Sequence, residues 1–183
     1  MKIAVVYGSV REARQGIKLA KFVVKKLEER KHEVTFVDPL KYSLPLLNKR
    51  YFEFPKGKAP KVMKGLHKIF AETDGIIIVS GEYNHGFPSP LKNLLDHFYD
   101  EYKRKVAGIV TYSGGPFAGI RVIPSWRETL SEFGMIVAPK PFMVSMVQDS
   151  FDERGNAINK DYEKRIKEFL DEFEWLLEKI KKE

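Results

Sequence analysis

The most constraining feature of this sequence is a run of four apolar β-branched residues, IIIV, at positions 76–79. A strand with one face in water alternates apolar and polar residues, whereas a short continuous apolar run is typical of a strand covered on both faces. A second apolar run, KIAVVY, spans residues 2–7. The two runs therefore predict the central strands of a parallel sheet that has helices on both sides.

Strand-like segments alternate along the chain with segments that have apolar residues at helical spacing. We predict strands at residues 2–7, 33–38, 75–80, 106–112 and 136–144, and helices at residues 17–30, 60–72, 91–102, 120–133 and 160–181. This order predicts one domain over residues 1–183 with an α/β fold, a three-layer sandwich whose five-stranded parallel sheet has the order 2-1-3-4-5. Pro139 and Pro141 suggest that the fifth strand lies at an edge of the sheet. Residues 39–58 read as a long loop, and such loops are often functional.

Composition limits the classes of function that the chain can have. The 183 residues include no cysteine, which leaves no disulfide, thiolate metal ligand or cysteine nucleophile. His32, His67 and His97 have no metal-ligand spacing, so we expect no metal site. The formal net charge of +7 would suit nucleic acid, but the lysines are scattered among glutamates, and we expect no nucleic-acid partner. Nothing resembles a signal peptide or a membrane span, so we expect a cytoplasmic protein without membrane contact.

A cluster of polar side chains follows the third predicted strand. Its members, in a row before the next helix, are Glu82, Tyr83, Asn84 and His85. In a sheet of this order, ligands bind beyond the carboxyl ends of the strands, where the first and third strands lie side by side. Each residue also has a structural alternative, such as rim packing for Tyr83, turn formation for Asn84 and a salt bridge for Glu82. We interpret the cluster as part of a ligand site.

Two further loops are expected on the same rim. The loop after the first strand, YGSVREARQG, lacks the glycine pattern of a P-loop or of a dinucleotide-binding fold. It holds Ser9, Arg11 and Arg14 just before a helix, which suits a phosphate but is equally consistent with a helix cap and two solvated arginines. The loop after the fourth strand, YSGGPFAGIR, offers Ser113 and two glycines that allow close approach of a ligand, or it is only a tight turn.

The three loops together resemble those of the NAD(P)H-dependent FMN reductases, a family with a flavodoxin-like fold. The family pattern is GSxRxxS/R after the first strand, which is GSVREAR here, and PEYNxxxPxxLKNxxD after the third, which is GEYNHGFPSPLKNLLD here. A Ser-Gly-Gly loop follows the fourth strand, and the resemblance covers essentially the whole chain. The sequence departs from the pattern at Gly81, where proline is usual, and at Pro116 and Phe117, where small residues are common.

The resemblance implies a bound FMN cofactor, which takes hydride at N5 from NADPH or NADH and passes electrons to a small-molecule acceptor such as free flavin or a quinone. It implies no catalytic side chain. Around the FMN phosphate it places Ser9, Arg11, Arg14, Gln15 and Gly16. Along the isoalloxazine ring and ribityl chain it places Glu82, Tyr83, Asn84 and His85, and at the other ring edge Ser113, Gly114 and Gly115. Members of the family are commonly assembled as a homodimer or homotetramer.

Two alternatives remain open at the level of the sequence. The first is a flavodoxin-type electron carrier without NAD(P)H activity of its own, although such carriers tend to be acidic and this chain is basic. The second is a flavin-free regulatory or nucleic-acid-binding module, whose affinity for DNA would fall as salt is added.

Overall fold

The computed structural model describes residues 1–181, in which strands and helices alternate. The strands are β1 (Lys2–Tyr7), β2 (Glu33–Val37), β3 (Gly75–Gly81), β4 (Val106–Tyr112), β5 (Ile136–Val137) and β6 (Phe142–Val144). The helices are α1 (Gly16–Glu29), α2 (Lys61–Glu72), α3 (Ser89–Asp96), α4 (Ile123–Glu132), α5 (Val147–Ser150) and α6 (Asp161–Lys181). Short 3₁₀ turns are formed by Tyr51–Glu53, Asp100–Tyr102 and Ile120–Val122.

The strands pair in parallel in one sheet with the order β2-β1-β3-β4-β5, and β6 also pairs with β4. The strand order predicted from the sequence is therefore confirmed. At the centre, β1 and β3 run side by side from the pair Ile3 and Gly75 to the pair Tyr7 and Val79. The loops that leave their carboxyl ends consequently meet at the same edge of the sheet.

Helices cover both faces of the sheet, which explains why its central strands are apolar along their whole length. On one face, α1 and α6 pack against alternate strand residues such as Val5 and Ile77. On the other face, α2, α3 and α4 pack against the intervening residues, such as Val6 and Ile76. The predicted three-layer α/β architecture is thus confirmed.

The fifth predicted strand, residues 136–144, is the main difference from the sequence-based prediction. It is divided into β5 and β6, which pair with β4 on either side of a break. Pro139 and Pro141 lie in this break and have no N–H to donate to β4, so the hydrogen-bond ladder is interrupted there. The divided strand lies at the edge of the sheet, as the prolines predict.

The third helix ends earlier than predicted. The segment that follows it is hydrogen-bonded to the long loop of residues 39–58. α3 stops at Asp96, and a separate 3₁₀ turn follows because Tyr99 has an extended φ of −152°. The freed His97 carbonyl accepts a hydrogen bond of 2.8 Å from the Tyr51 N–H of the long loop. The Tyr51 ring also stacks on His67 of α2, with the ring centroids 4.1 Å apart. The long loop is therefore packed against two helices.

The packing of α6 against β4 depends on Gly108. A Cβ atom at this position would lie 2.9 Å from the Phe169 ring and 3.1 Å from Ile77. We therefore expect Gly108→Ala to lower the free energy of unfolding by about 1–3 kcal/mol through overpacking. Urea unfolding followed by circular dichroism measures this change.

Gly65→Ala is the control for this prediction. Among the residues that the structure describes, a Cβ atom at Gly65, on the exposed side of α2, would meet nothing within 4 Å. Alanine should therefore raise stability there by roughly 0.5–1 kcal/mol through its helix propensity. A Gly108→Ala variant that gains stability in the same way would contradict the proposed packing of α6.

Candidate functional site

A cavity of about 360 Å³ opens at the carboxyl ends of β1, β3 and β4, and we refer to it as the rim cavity. Its walls are the loop after β1, the loop after β3, the end of β4 and the start of α5. Lining residues that the sequence predicted are Ser9, Arg11, Arg14, Gln15, Gly16, Tyr83 and Gly114, and those that it missed are Ala13, Tyr112, Val147 and Gln148. The three predicted loops are thus brought together at one place.

The loop after β1 presents hydrogen-bond donors beside the start of α1. The buried Ser9 hydroxyl accepts a bond of 3.3 Å from the Arg11 N–H and lies 2.8 Å from the Tyr83 hydroxyl. Gln15 at the N-cap provides no side-chain cap, and the first turn of α1 holds no acid. Within residues 1–181, the exposed Arg11 guanidinium has no hydrogen bond or ion pair. A helix start of this kind, beside a free guanidinium, suits a phosphate group.

Arg14 lines the rim cavity, but its charge has a partner inside the protein. Its guanidinium donates to both carboxylate oxygens of Asp38, at 2.6 and 2.7 Å, and lies 5.4 Å from the centre of the Tyr7 ring. The side chains of Arg14 and Asp38 are only 18% and 5% exposed. Burial tends to raise the pKa of Asp38, but hydrogen bonds from Arg14 and from the Leu40 N–H lower it below its usual value. Arg14 therefore holds the loop in place, and the positive charge of Arg14 is balanced by Asp38.

The polar cluster after β3 forms a two-residue turn. Tyr83 and Gly86 exchange backbone hydrogen bonds of 3.1 and 2.9 Å. Between them, Asn84 and His85 have left-handed backbone angles, with φ of 49° and 67°. Positive φ at both central residues is the type I′ geometry, which asparagine tolerates better than most residues. Both residues are exposed, and their N–H groups have no partner in the part of the chain that the structure describes. The turn thus offers backbone donors to a ligand.

Glu82 joins two loops instead of lining the rim cavity. Its carboxylate accepts a hydrogen bond of 3.0 Å from the Arg121 N–H and lies 3.6 Å from the Arg121 guanidinium. That guanidinium lies over the exposed Phe117 ring, 4.3 Å from its centre. Glu82 therefore forms the salt bridge that was its structural alternative, and it fixes the loop after β4 against the loop after β3.

The loop after β4 leaves open space beside the rim cavity. The Ser113 hydroxyl is held within the loop, because it donates to the Gly115 carbonyl at 2.9 Å. Within residues 1–181, a Cβ atom at Gly115 would meet nothing within 4 Å, and the nearest atom to one at Gly114 would be the Gln148 amide oxygen at 3.7 Å. A ligand can therefore come close to the backbone of both glycines.

Gly16 has a packing role that the sequence did not reveal. A Cβ atom there would clash with the Tyr112 ring, and one at Gly81 would lie 3.2 Å from the same ring. The Tyr112 hydroxyl donates to the Tyr7 hydroxyl at 3.3 Å. Burial raises the pKa of both tyrosines, so both stay neutral at physiological pH. Gly16 and Gly81 together make room for a buried tyrosine beneath the site.

The residues of the site that the sequence did not predict differ in how they could have been found. Asp38 directly follows β2, and Tyr112 ends β4, so both stand where strand ends are expected. Gln148 lies on the four-residue helix α5, which has no sequence signal, and its amide donates to the Gly114 carbonyl at 3.3 Å. Only the folded arrangement brings Gln148 to the rim cavity.

The free groups around the rim cavity fit a flavin nucleotide in three respects. An anion would satisfy Arg11 and the start of α1. The carbonyl oxygens on the edge of a flat heterocycle would satisfy the two free N–H groups of the turn Tyr83–Gly86. The backbone of Gly114 and Gly115 leaves room for a further edge of the ring.

Among residues 1–181, no group of three or more His, Asp or Glu side chains is arranged to hold a metal ion. No helix in this range combines the length and the apolar character needed to cross a membrane.

Comparison with known proteins identifies relatives of this chain. The model of the NADPH-dependent FMN reductase family matches residues 1–149. The 2-hydroxy-1,4-benzoquinone reductase of Burkholderia sp is 28% identical over 179 residues, which cover 94% of each chain. FerB, a flavoenzyme NAD(P)H:(acceptor) oxidoreductase from Paracoccus denitrificans, has the same fold with a TM-score of 0.80, 23% identity and 97% of each chain covered. A flavodoxin from Pseudomonas aeruginosa is less similar, with a TM-score of 0.58, 18% identity, and 97% of this chain and 99% of the flavodoxin covered.

The ion pair of Arg14 and Asp38 leads to a prediction about stability. We expect Asp38→Asn to lower the free energy of unfolding by about 2–4 kcal/mol at neutral pH, because Arg14 would stay largely buried without an anionic partner. The pKa of Asp38 is lowered in the folded state, so its contribution is complete above the unfolded-state pKa of about 4 and is lost as the pH falls through the folded-state value. The difference between variant and wild type should therefore close below about pH 4.

Denaturant unfolding of both proteins between about pH 2 and pH 7 measures this difference. Asp100→Asn is the control, because it removes the carboxylate of an exposed ion pair with Lys103 and should change stability by less than about 1 kcal/mol. If the difference in unfolding free energy between wild type and Asp38→Asn stays constant down to the lowest pH, the role given to Asp38 is contradicted.

Proposed function

This chain belongs to the NADPH-dependent FMN reductase family and is an oxidoreductase, and we propose that it binds FMN at the rim cavity and transfers electrons from NADPH or NADH to a small-molecule acceptor. The acceptor is free flavin or a quinone. With a quinone, one NAD(P)H is oxidised to NAD(P)+, and the quinone gains a hydride equivalent and one proton to become the hydroquinone. Bound FMN supplies the redox centre between donor and acceptor.

The Arg11 guanidinium, which has no partner within residues 1–181, carries this proposal. Ser9, Gln15 and the start of α1 are assigned to the FMN phosphate together with Arg11. Because Asp38 balances the charge of Arg14, Arg11 is the side chain of this loop that supplies net positive charge to the dianion. Arg14 acts on the phosphate indirectly, by holding the loop in place.

The ring of FMN is assigned to the other two loops. The N–H groups of Asn84 and His85 are available for the carbonyl oxygens and nitrogens along one edge of the ring. The backbone of Gly114 and Gly115 faces open space in which the opposite edge fits. Glu82 supports this arrangement from outside the cavity, because its contact with Arg121 keeps the two loops together.

We also propose that the protein assembles as a homodimer or homotetramer. The support is exposed aromatic surface, with Phe52 on the loop between β2 and α2 and Phe117 on the loop after β4, since exposed apolar surface is typical of contact sites. A cytoplasmic location and a single-domain organisation remain predictions from the sequence.

Absorption spectroscopy tests the redox function. The protein loaded with FMN should show a flavin spectrum that is bleached by NADPH or NADH under anaerobic conditions, and an excess of quinone should restore it. Bleaching without a second protein distinguishes an oxidoreductase from a flavodoxin-type carrier. A protein that binds FMN but keeps its colour with both nucleotides would be a carrier, and one that binds no FMN would contradict the whole assignment.

Arg11→Ala tests the assignment of the phosphate. We expect FMN to bind about 10- to 100-fold more weakly, because a charge-assisted hydrogen bond is lost. Affinity for riboflavin, which has no phosphate, should not change. Lys64→Ala removes an equal charge from the exposed surface of α2 and should leave both affinities as they are. Equal weakening of FMN and riboflavin by Arg11→Ala would show that Arg11 does not act on the phosphate.

A further inference from the structure

A second pocket lies on the other side of the loop after β1. It has a volume of about 310 Å³ and is formed between the loop that follows β2 and the start of α3. The residues that line it include Val10, Leu40, Leu44, Leu46 and Leu94. Pockets of this size and apolar character are typical of small-molecule sites, and we refer to this one as the apolar pocket.

Several polar groups on the wall of the apolar pocket are already bonded within the protein. The Asn93 amide is hydrogen-bonded at both ends to the backbone of the loop after β2, at 2.8 and 2.9 Å. The N–H groups of Leu40 and Tyr42 are bonded to Asp38. A polar ligand would find few free partners among these groups, whereas an apolar ligand would release water from exposed leucine side chains.

The apolar pocket borders the rim cavity directly. Ser9 lines the rim cavity, and Val10, the next residue, lines the apolar pocket. The walls of the two are also tied together, because the Asp38 carboxylate accepts hydrogen bonds from Arg14 on one side and from the Leu40 N–H on the other. Val10 itself is 40% exposed, so a flexible chain that lies over it can reach from the rim cavity to the apolar pocket.

We propose that the apolar pocket binds the hydrocarbon side chain of the electron acceptor while the acceptor's ring is reduced at the rim cavity. This inference rests on the proposed function and adds a substrate class to it, namely quinones that carry an alkyl or prenyl side chain. The hydrocarbon side chain of such a quinone covers the Leu40 and Leu46 side chains, which are otherwise exposed to water. The preference of the enzyme should therefore increase with the number of methylene groups that reach the pocket.

A series of 1,4-benzoquinones with methyl, propyl, hexyl and decyl side chains tests this inference. The FMN-loaded protein is titrated with each quinone without NADPH, and kcat/KM is then measured with saturating NADPH under argon. Affinity and kcat/KM should rise about fourfold per methylene until the pocket is full, and then level off. The chain has no cysteine, so quinones have no protein thiol to alkylate during the titration.

Two variants on the same loop distinguish binding in the apolar pocket from nonspecific hydrophobic binding to the protein surface. Leu40 lines the apolar pocket and is 55% exposed, whereas Leu47 is not one of its lining residues and is 38% exposed. Leu40→Asp and Leu47→Asp add the same charge to exposed positions. In Leu40→Asp, affinity and kcat/KM should no longer depend on the length of the quinone side chain, and the kinetics with the methyl quinone should be nearly unchanged. Leu47→Asp should keep the dependence seen in the wild type.

Each outcome has a distinct meaning. Equal affinity for methyl and decyl quinones, or an equal dependence on chain length in the wild type and Leu40→Asp, would overturn the assignment of the pocket. Binding that depends on chain length, without any turnover, would uphold the pocket and contradict the proposed function. If light scattering shows that Leu40→Asp dissociates an oligomer and chain length has no effect, the pocket is an interface between copies of the chain and the inference is wrong.

Discussion

The parallel pairing of β1 with β3 is the constraint on which the candidate site depends. From β1 the chain continues to α1 on one face of the sheet, and from β3 it continues to α3 on the other face. The two loops therefore diverge beyond the strands, and the hydroxyl groups of Ser9 and Tyr83, 2.8 Å apart, join them across the gap. The rim cavity adjoins the start of α1 and the apolar pocket adjoins the start of α3, so both follow from one topological feature.

The charges around the rim cavity explain how one loop can be both fixed in place and suited to an anion. Hydrogen bonds to Asp38 raise the pKa of Arg14 further, so the guanidinium stays charged and holds the loop to the end of β2. Arg11, three residues earlier, has an exposed side chain and remains available to a ligand. With two guanidinium groups in one short loop, pairing one inside the protein limits the repulsion between them. The remaining positive charge adds to that of the start of α1.

The layers and the strand order could be predicted because their signals are local, since a continuous apolar strand must be covered on both faces. The division of the edge strand was missed, because it depends on how Pro139 and Pro141 meet the hydrogen-bond ladder of β4. The motifs located all three loops of the candidate site but not the directions of their side chains. Glu82 was expected at the ring, and its carboxylate accepts a hydrogen bond from Arg121. Asp38 and Gln148 come from elsewhere in the sequence, and only the fold brings them to the site.

A crystal structure of the protein grown with FMN would show directly where the cofactor binds. We expect density for the phosphate between Arg11 and the start of α1, with the ring between the turn Tyr83–Gly86 and the glycines of the loop after β4. Arg14 should keep its contact with Asp38 in that complex. Density for FMN with its phosphate away from the loop after β1, or with its ring in the apolar pocket, would contradict both assignments.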